Sequence, residues 1–104
     1  MTYKVFESFE QIASEFPGTW EMIYSENKIQ YPNAKFITGI VGRPFKDEDP
    51  DIMVLFDVGT PGQVLWVWVS GDITDPEPNR GSFIDEYYEV SVEEGTSYLN
   101  SLRN

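Results

Sequence analysis

Phe9, Ile12, Ala13 and Phe16 recur at spacings of three and four, the single apolar stripe of a helix. Ser8 and Gln11 supply the serine and glutamine of a capping box ahead of it. Pro17-Gly18 closes it, so the pattern predicts a helix over residues 8–16. Residues 3–6 in front read as a short strand. After residue 18 the period changes. Trp20, Met22 and Tyr24 alternate with more polar positions, which predicts a strand over 19–24. Ser25-Glu26-Asn27 reads as a turn and 28–31 as a short strand that Pro32-Asn33 breaks. A further strand is expected over 35–42. Gly39 and Gly42 lie within it or at its end, where glycine marks a bulge, a bend or the close approach of another backbone.

The strongest strand signals lie in the middle of the chain, at 52–58 and 63–70. Gly59-Thr60-Pro61-Gly62 joins them as a hairpin connection. Val64, Trp66 and Trp68 take one side of the second strand, and Leu65, Val67 and Val69 the other. A strand apolar on both sides is covered on both sides, so these two are expected near the centre of a sheet. Residues 71–81 form a loop with Pro76 and Pro78. Residues 83–90 fit a strand with Ile84, Tyr88 and Val90 inward and Asp85, Tyr87 and Glu89 outward; a helix capped by Ser82 is the competing reading. Ser91-Val92-Glu93-Glu94 repeats the capping-box form. It predicts a terminal helix over 92–102 that buries Val92, Leu99 and Leu102 and is weakened by Gly95.

These elements sum to an α+β fold: a mostly antiparallel sheet of four to six strands, with an N-terminal and a C-terminal helix. Connections of hairpin length dominate, and strands and helices do not alternate as they do in a parallel sheet. No internal repeat appears, and residues 1–104 read as a single compact domain. Composition agrees. Ile and Val number 17 against 6 for Leu and Ala, and stiff β-branched side chains suit a pleated surface. Ile, Val, Leu and Phe make up 28 of 104 residues, above the ~20% below which a highly charged chain stays disordered.

The longest apolar run, Val64 to Val69, is six residues, far short of the ~20 that span a bilayer as a helix. Residues 1–10 lack the basic and apolar regions of a secretory signal. The expectation is a cytoplasmic protein with no membrane partner.

Charge changes the picture most. The net charge is −11, and it is not evenly spread. Residues 1–46 hold five acids and five bases. Residues 47–104 hold thirteen acids against Arg80 and Arg103 and so carry all eleven net charges. Small soluble domains need a net charge of only about 2–8, and the excess costs stability through self-repulsion.

The chain contains no histidine and no cysteine. That removes the commonest general base, the thiolate nucleophile, the zinc finger and the iron–sulfur cluster. Carboxylate chemistry remains. With 18 acids present, some pair always lies at a plausible distance, so pairs alone mean little. Asp47, Asp49 and Asp51 have the first spacings of a calcium loop, but Ile52 and Val58 stand where that loop needs Gly and Glu. Glu26-Asn27-Lys28 and Pro50-Asp51 come in the wrong order for a nuclease. Gly59-Thr60-Pro61-Gly62 lacks the Gly-Lys-Ser/Thr of a phosphate-binding loop. Trp66 and Trp68 share a strand face and could stack on sugars or bases; their apolar setting favours a core role instead. The expectation is no enzyme, no cofactor and no metal.

The acidic ensemble is the remaining candidate. It comprises Asp47, Glu48, Asp49 and Asp51; Asp72, Asp75 and Glu77; and Asp85, Glu86, Glu89, Glu93 and Glu94. A solubilising surface is its plain reading. The sharper one is docking on a basic, nucleic-acid-binding surface of a partner protein, with Tyr87 as an aromatic anchor. Direct binding of nucleic acid is not expected, because carboxylates repel phosphates. In size and charge the chain resembles the small acidic inhibitors that phages and mobile elements encode, some of them DNA mimics. Acids on one face of one strand recur only every ~6.8 Å, against one charge per about 1.7 Å of B-DNA axis. Mimicry therefore requires several segments to pool their acids. The alternatives are a carboxylate-dependent metal- or sugar-binding module or enzyme, with acids and an exposed tryptophan in one pocket, and a structural subunit of a homo-oligomer.

Overall fold

The computed structural model describes residues 3–45 and 47–103. The sequence also reads as a charged loop over residues 46–51; its Lys46 lies outside the described residues, as do Met1 and Thr2 of the segment read for a signal. Five strands form one antiparallel sheet in the order β1-β2-β3-β4-β5: β1 Lys4–Phe6, β2 Lys35–Gly42, β3 Asp51–Asp57, β4 Gln63–Gly71 and β5 Ser82–Ser91. The helices are α1 Phe9–Glu15, α2 Pro17–Gln30 and α3 Val92–Ser101. The chain is α+β with a helix towards each end, as the pattern predicts. β3 and β4 have a neighbour on both sides and are buried on both faces.

The sheet separates two cores. On one face Phe6, Ile52, Val54, Phe56, Leu65, Val67 and Val69 pack with Ile12 of α1 and Met22 and Ile23 of α2. On the other, Ile40, Met53, Leu55, Val64, Trp66 and Val90 pack with Leu99 of α3 and with Leu102 just beyond it. Both expected serine N-caps are present, although neither box closes through the N-cap amide: Gln11 Oε1 accepts from the Glu7 amide instead, and Glu94 Oε1 from the Ser91 hydroxyl. Ser8 accepts from the Gln11 amide at 3.3 Å, and Ser91 from the Glu94 amide at 3.1 Å. Glycine at Gly42 allows the close approach expected of it, since a Cβ there would collide with the Leu102 carbonyl oxygen. Val92, expected in the core, is 46% exposed, because the helix begins there at the rim of the sheet.

Two expectations are corrected. Residues 19–24 and 28–31 are not strands, and Ser25-Glu26-Asn27 is not a turn. All but the C-cap Tyr31 lie in α2, which Pro17 opens at a position where its missing N–H is no loss. The buried side of α2 is Thr19, Met22, Ile23 and Asn27, spaced as a helix requires. Two of the four are polar, so the apolar period was hidden. The second correction concerns β5. A register shift between Trp68 and Val69 leaves Asp85 without a cross-strand partner, a bulge. Ile84 and Tyr87 therefore both face α2, while Glu86 pairs with Trp68, and Tyr88 with Trp66, on the α3 face. Strict alternation had put Ile84 with Tyr88 and turned Tyr87 outward.

Candidate functional site

The bulge builds the most distinctive site of the molecule. A cavity of about 550 Å³ opens on the α3 face of the sheet. Its floor is Trp66, Trp68 and Ser70 of β4 with Asp51 at the start of β3. One wall is Asp85 and Glu86 of β5, another Tyr98 and Ser101 of α3, and the rim carries Phe45 and Glu48 from the β2–β3 loop. Hairpin register places Asp51. Ile52 pairs with Val69, so Asp51 falls opposite Ser70 and diagonal to Trp68. Trp68 donates its Nε1–H to Asp51 Oδ2 at 2.9 Å, and the Ser70 hydroxyl donates to the same oxygen at 3.4 Å. The rings are locked together. Trp66 stacks on Tyr98 with centroids 4.1 Å apart, and meets Trp68 edge-on at 5.5 Å and Tyr88 edge-on at 5.2 Å.

Among the described residues, charge in this cavity is of one sign. Burial pushes the Asp51 carboxyl above its ordinary range; the bonds from Trp68 and Ser70 oppose this, and Glu48 and Asp85 add to it. Burial, then Asp85, pushes Glu86 up in the same way. Tyr98 is raised chiefly by Glu94, whose Oε2 accepts its hydroxyl at 3.2 Å. No lysine or arginine among the described residues lines the cavity. The described cations that lie over aromatic rings sit elsewhere: Lys4 over Phe6, Lys28 over Tyr24 and Arg103 over Tyr3.

The acids singled out in the sequence divide into three groups. Glu48, Asp51, Asp85 and Glu86 meet in the cavity, with Glu94 beside it through Tyr98. Asp47, Asp49 and Glu93 are exposed and line no part of it. Asp72, Asp75 and Glu77 belong to the β4–β5 loop, which packs on the other side against α2, where a Cβ on Gly18 would meet the Asp75 carbonyl oxygen at 2.6 Å. There the carboxylates serve the loop itself. Asp72 accepts from the Thr74 amide at 3.1 Å, and Asp75 from Arg80 at 2.6 Å, which holds Asp75 below the usual carboxylate range. Glu89 also faces α2 and accepts the Tyr31 hydroxyl at 3.1 Å. Tyr87 is half-buried there and donates its hydroxyl to Asn27 Oδ1.

Phe45 and Tyr98 were not singled out in the sequence. Tyr98 had a signal, since Gly95, Tyr98, Leu99 and Leu102 form a helical stripe. Phe45 had none. Among the described residues no three carboxylates are placed to share a metal ion, and no helix is long and apolar enough to cross a membrane. Comparison with protein-family models, with curated proteins and with solved structures finds no match.

Proposed function

We propose that this chain is a small non-enzymatic binding protein that docks on a basic surface of another protein and blocks it for nucleic acid. The observation that carries this reading is the convergence of Glu48, Asp51, Asp85 and Glu86, from two segments far apart in the chain, around exposed and half-buried aromatic rings. Carboxylates held together at a cost in repulsion attract a cationic partner, speed the encounter and reject acidic competitors. Aromatic rings beside them supply contact area at low entropic cost. Competition is then steric and electrostatic and needs no chemistry from this chain. The cytoplasm, where nucleic-acid-binding proteins work, is the compartment that suits such a role.

Affinity capture from the native host, with elution by a salt gradient, would identify the partner. Titration of the purified pair then tests the reading. Affinity should fall steeply as salt rises, since the Debye length shrinks from about 10 Å at 0.1 M to about 3 Å at 1 M. Reversing Asp85 and Glu86 to lysine should weaken binding by about tenfold or more. Affinity independent of salt would rule the reading out.

A second reading draws on the same cavity: a carboxylate-lined metal- or sugar-binding module. Its stacking platform is poorly presented, because Trp66 is only 4% exposed and the Trp68 Nε1–H is already bonded to Asp51. Calorimetric titration with calcium and magnesium separates the metal version; heat and a thermal shift would support it.

A further inference from the structure

We propose that the cavity between β3, β4, β5 and α3 is an arginine-binding site. It takes the guanidinium of a peptide segment whose backbone carbonyl accepts a hydrogen bond from Trp66 Nε1. This rests on the docking reading and states which group of the partner is recognised.

Three independent features lead there. The first is charge: Glu48, Asp51, Asp85 and Glu86 line the cavity with no described lysine or arginine beside them. The second is shape and surface. At about 550 Å³ the space exceeds one side chain and lies within the range of ligand pockets. Its walls include Trp68, Tyr98 and Phe45, and Phe45 stands 66% exposed at the rim. A planar, weakly hydrated guanidinium stacks on such rings and reaches carboxylates with its fork of N–H donors. A compact, strongly hydrated ammonium does this less well. The third is an orphan donor. Trp66 lines the same cavity, is 4% exposed, and its Nε1–H has no acceptor. Buried donors are rarely left so. A free cation offers no acceptor, whereas a peptide that delivers an arginine carries carbonyl oxygens with it. The ligand class that answers all three is therefore an arginine within a polypeptide.

The test is calorimetric titration of the full chain with short acetylated, amidated glycine–serine peptides that carry one central arginine, lysine or citrulline. Citrulline keeps the shape and removes the charge. The arginine peptide should bind, the lysine peptide several-fold more weakly, and the citrulline peptide at least about tenfold more weakly. Phe45→Ala and Asp85→Asn alter exposed side chains and should each lower arginine-peptide affinity about tenfold. Glu21→Gln, on the exposed side of α2, should not change it. The Trp66 indole N–H resonance should move with the arginine peptide and not with guanidinium chloride. Equal binding of citrulline, or affinity unchanged by Phe45→Ala and Asp85→Asn, overturns the proposal. So does a Trp66 shift that guanidinium chloride alone reproduces. Salt-sensitive binding of the purified partner that is indifferent to both variants refutes the arginine site and leaves the docking reading standing. Salt-independent binding of the partner removes both.

Discussion

Thr19 carries a hydroxyl into the fully buried side of α2, where it has no hydrogen-bond partner. A buried polar group without a partner costs stability, and replacing it with an apolar group of the same shape is neutral or favourable. Thr19→Val should therefore leave the protein as stable or stabilise it by up to about 1 kcal/mol, as urea denaturation would read. A clear loss of stability would mean that the hydroxyl has an acceptor after all. Asn27, about two turns further along the same face, makes the contrast. It is buried too, but its side chain accepts from Tyr87, and burial, followed by Glu26 and Tyr31, holds that phenol well above its ordinary range. The two polar residues on the inner side of α2 thus have opposite energetic standing. One is tolerated; the other ties the helix to β5.

At the scale of elements, the sheet was legible and α2 was not. β3 and β4 announce themselves because both of their faces are apolar, and a hairpin joins them whose Gly59 and Gly62 take positive φ. α2 fails to do so because Thr19 and Asn27 interrupt its buried stripe, while Trp20, Met22 and Tyr24 happen to alternate. The candidate site was half legible. Its acids were visible in the sequence, but which of them meet depends on the bulge at Asp85, which no local pattern around Ile84 reveals. Gly95 was misjudged for a related reason. Read as a weak point in α3, it is where the helix comes down on the sheet. A Cβ there would sit 2.8 Å from Val64 Cγ2 and 3.2 Å from Leu55 Cδ2. Gly95→Ala should gain about 1 kcal/mol of helix propensity and lose roughly 1–3 kcal/mol to overpacking. The expected result is a lower denaturation midpoint with an unchanged slope. Because α3 also carries Tyr98 onto Trp66, the same variant should disturb the indole environment of the cavity. A stabilised Gly95→Ala protein would show that Val64 and Leu55 can give way.

For the whole molecule, eleven net negative charges in residues 47–104 make stability a function of pH, and the direction follows from where the acids sit. Asp51 and Glu86 have folded values raised above their ordinary ones, by burial first and neighbouring acids second. A raised carboxyl holds more protons folded than unfolded, so stability rises as pH falls from neutrality towards the ordinary carboxylate range. Asp75 works in the opposite sense. Arg80 lowers its value, so its contribution is present above the ordinary carboxylate range and is lost as pH falls through its folded value. Together they place the stability maximum on the acid side of neutrality. The melting temperature should be higher near pH ~5 than near pH ~7.5, and should fall again below pH ~4 as carboxylates of ordinary and lowered value protonate. Salt at neutral pH should reproduce part of the gain, because it screens the same repulsion. The double variant Asp51→Asn/Glu86→Gln isolates the cavity. An amide at residue 51 keeps an oxygen for the Trp68 Nε1–H while removing the charge. At neutral pH this variant should melt higher than the parent, and its gain on mild acidification should shrink. A melting temperature that falls steadily from neutrality, or a double variant that follows the parent at every pH, would mean that the acids in the cavity do not oppose folding. If they do oppose it, the protein holds them there at a cost that a cationic partner would relieve, and partner binding should raise the melting temperature more at neutral pH than at pH ~5.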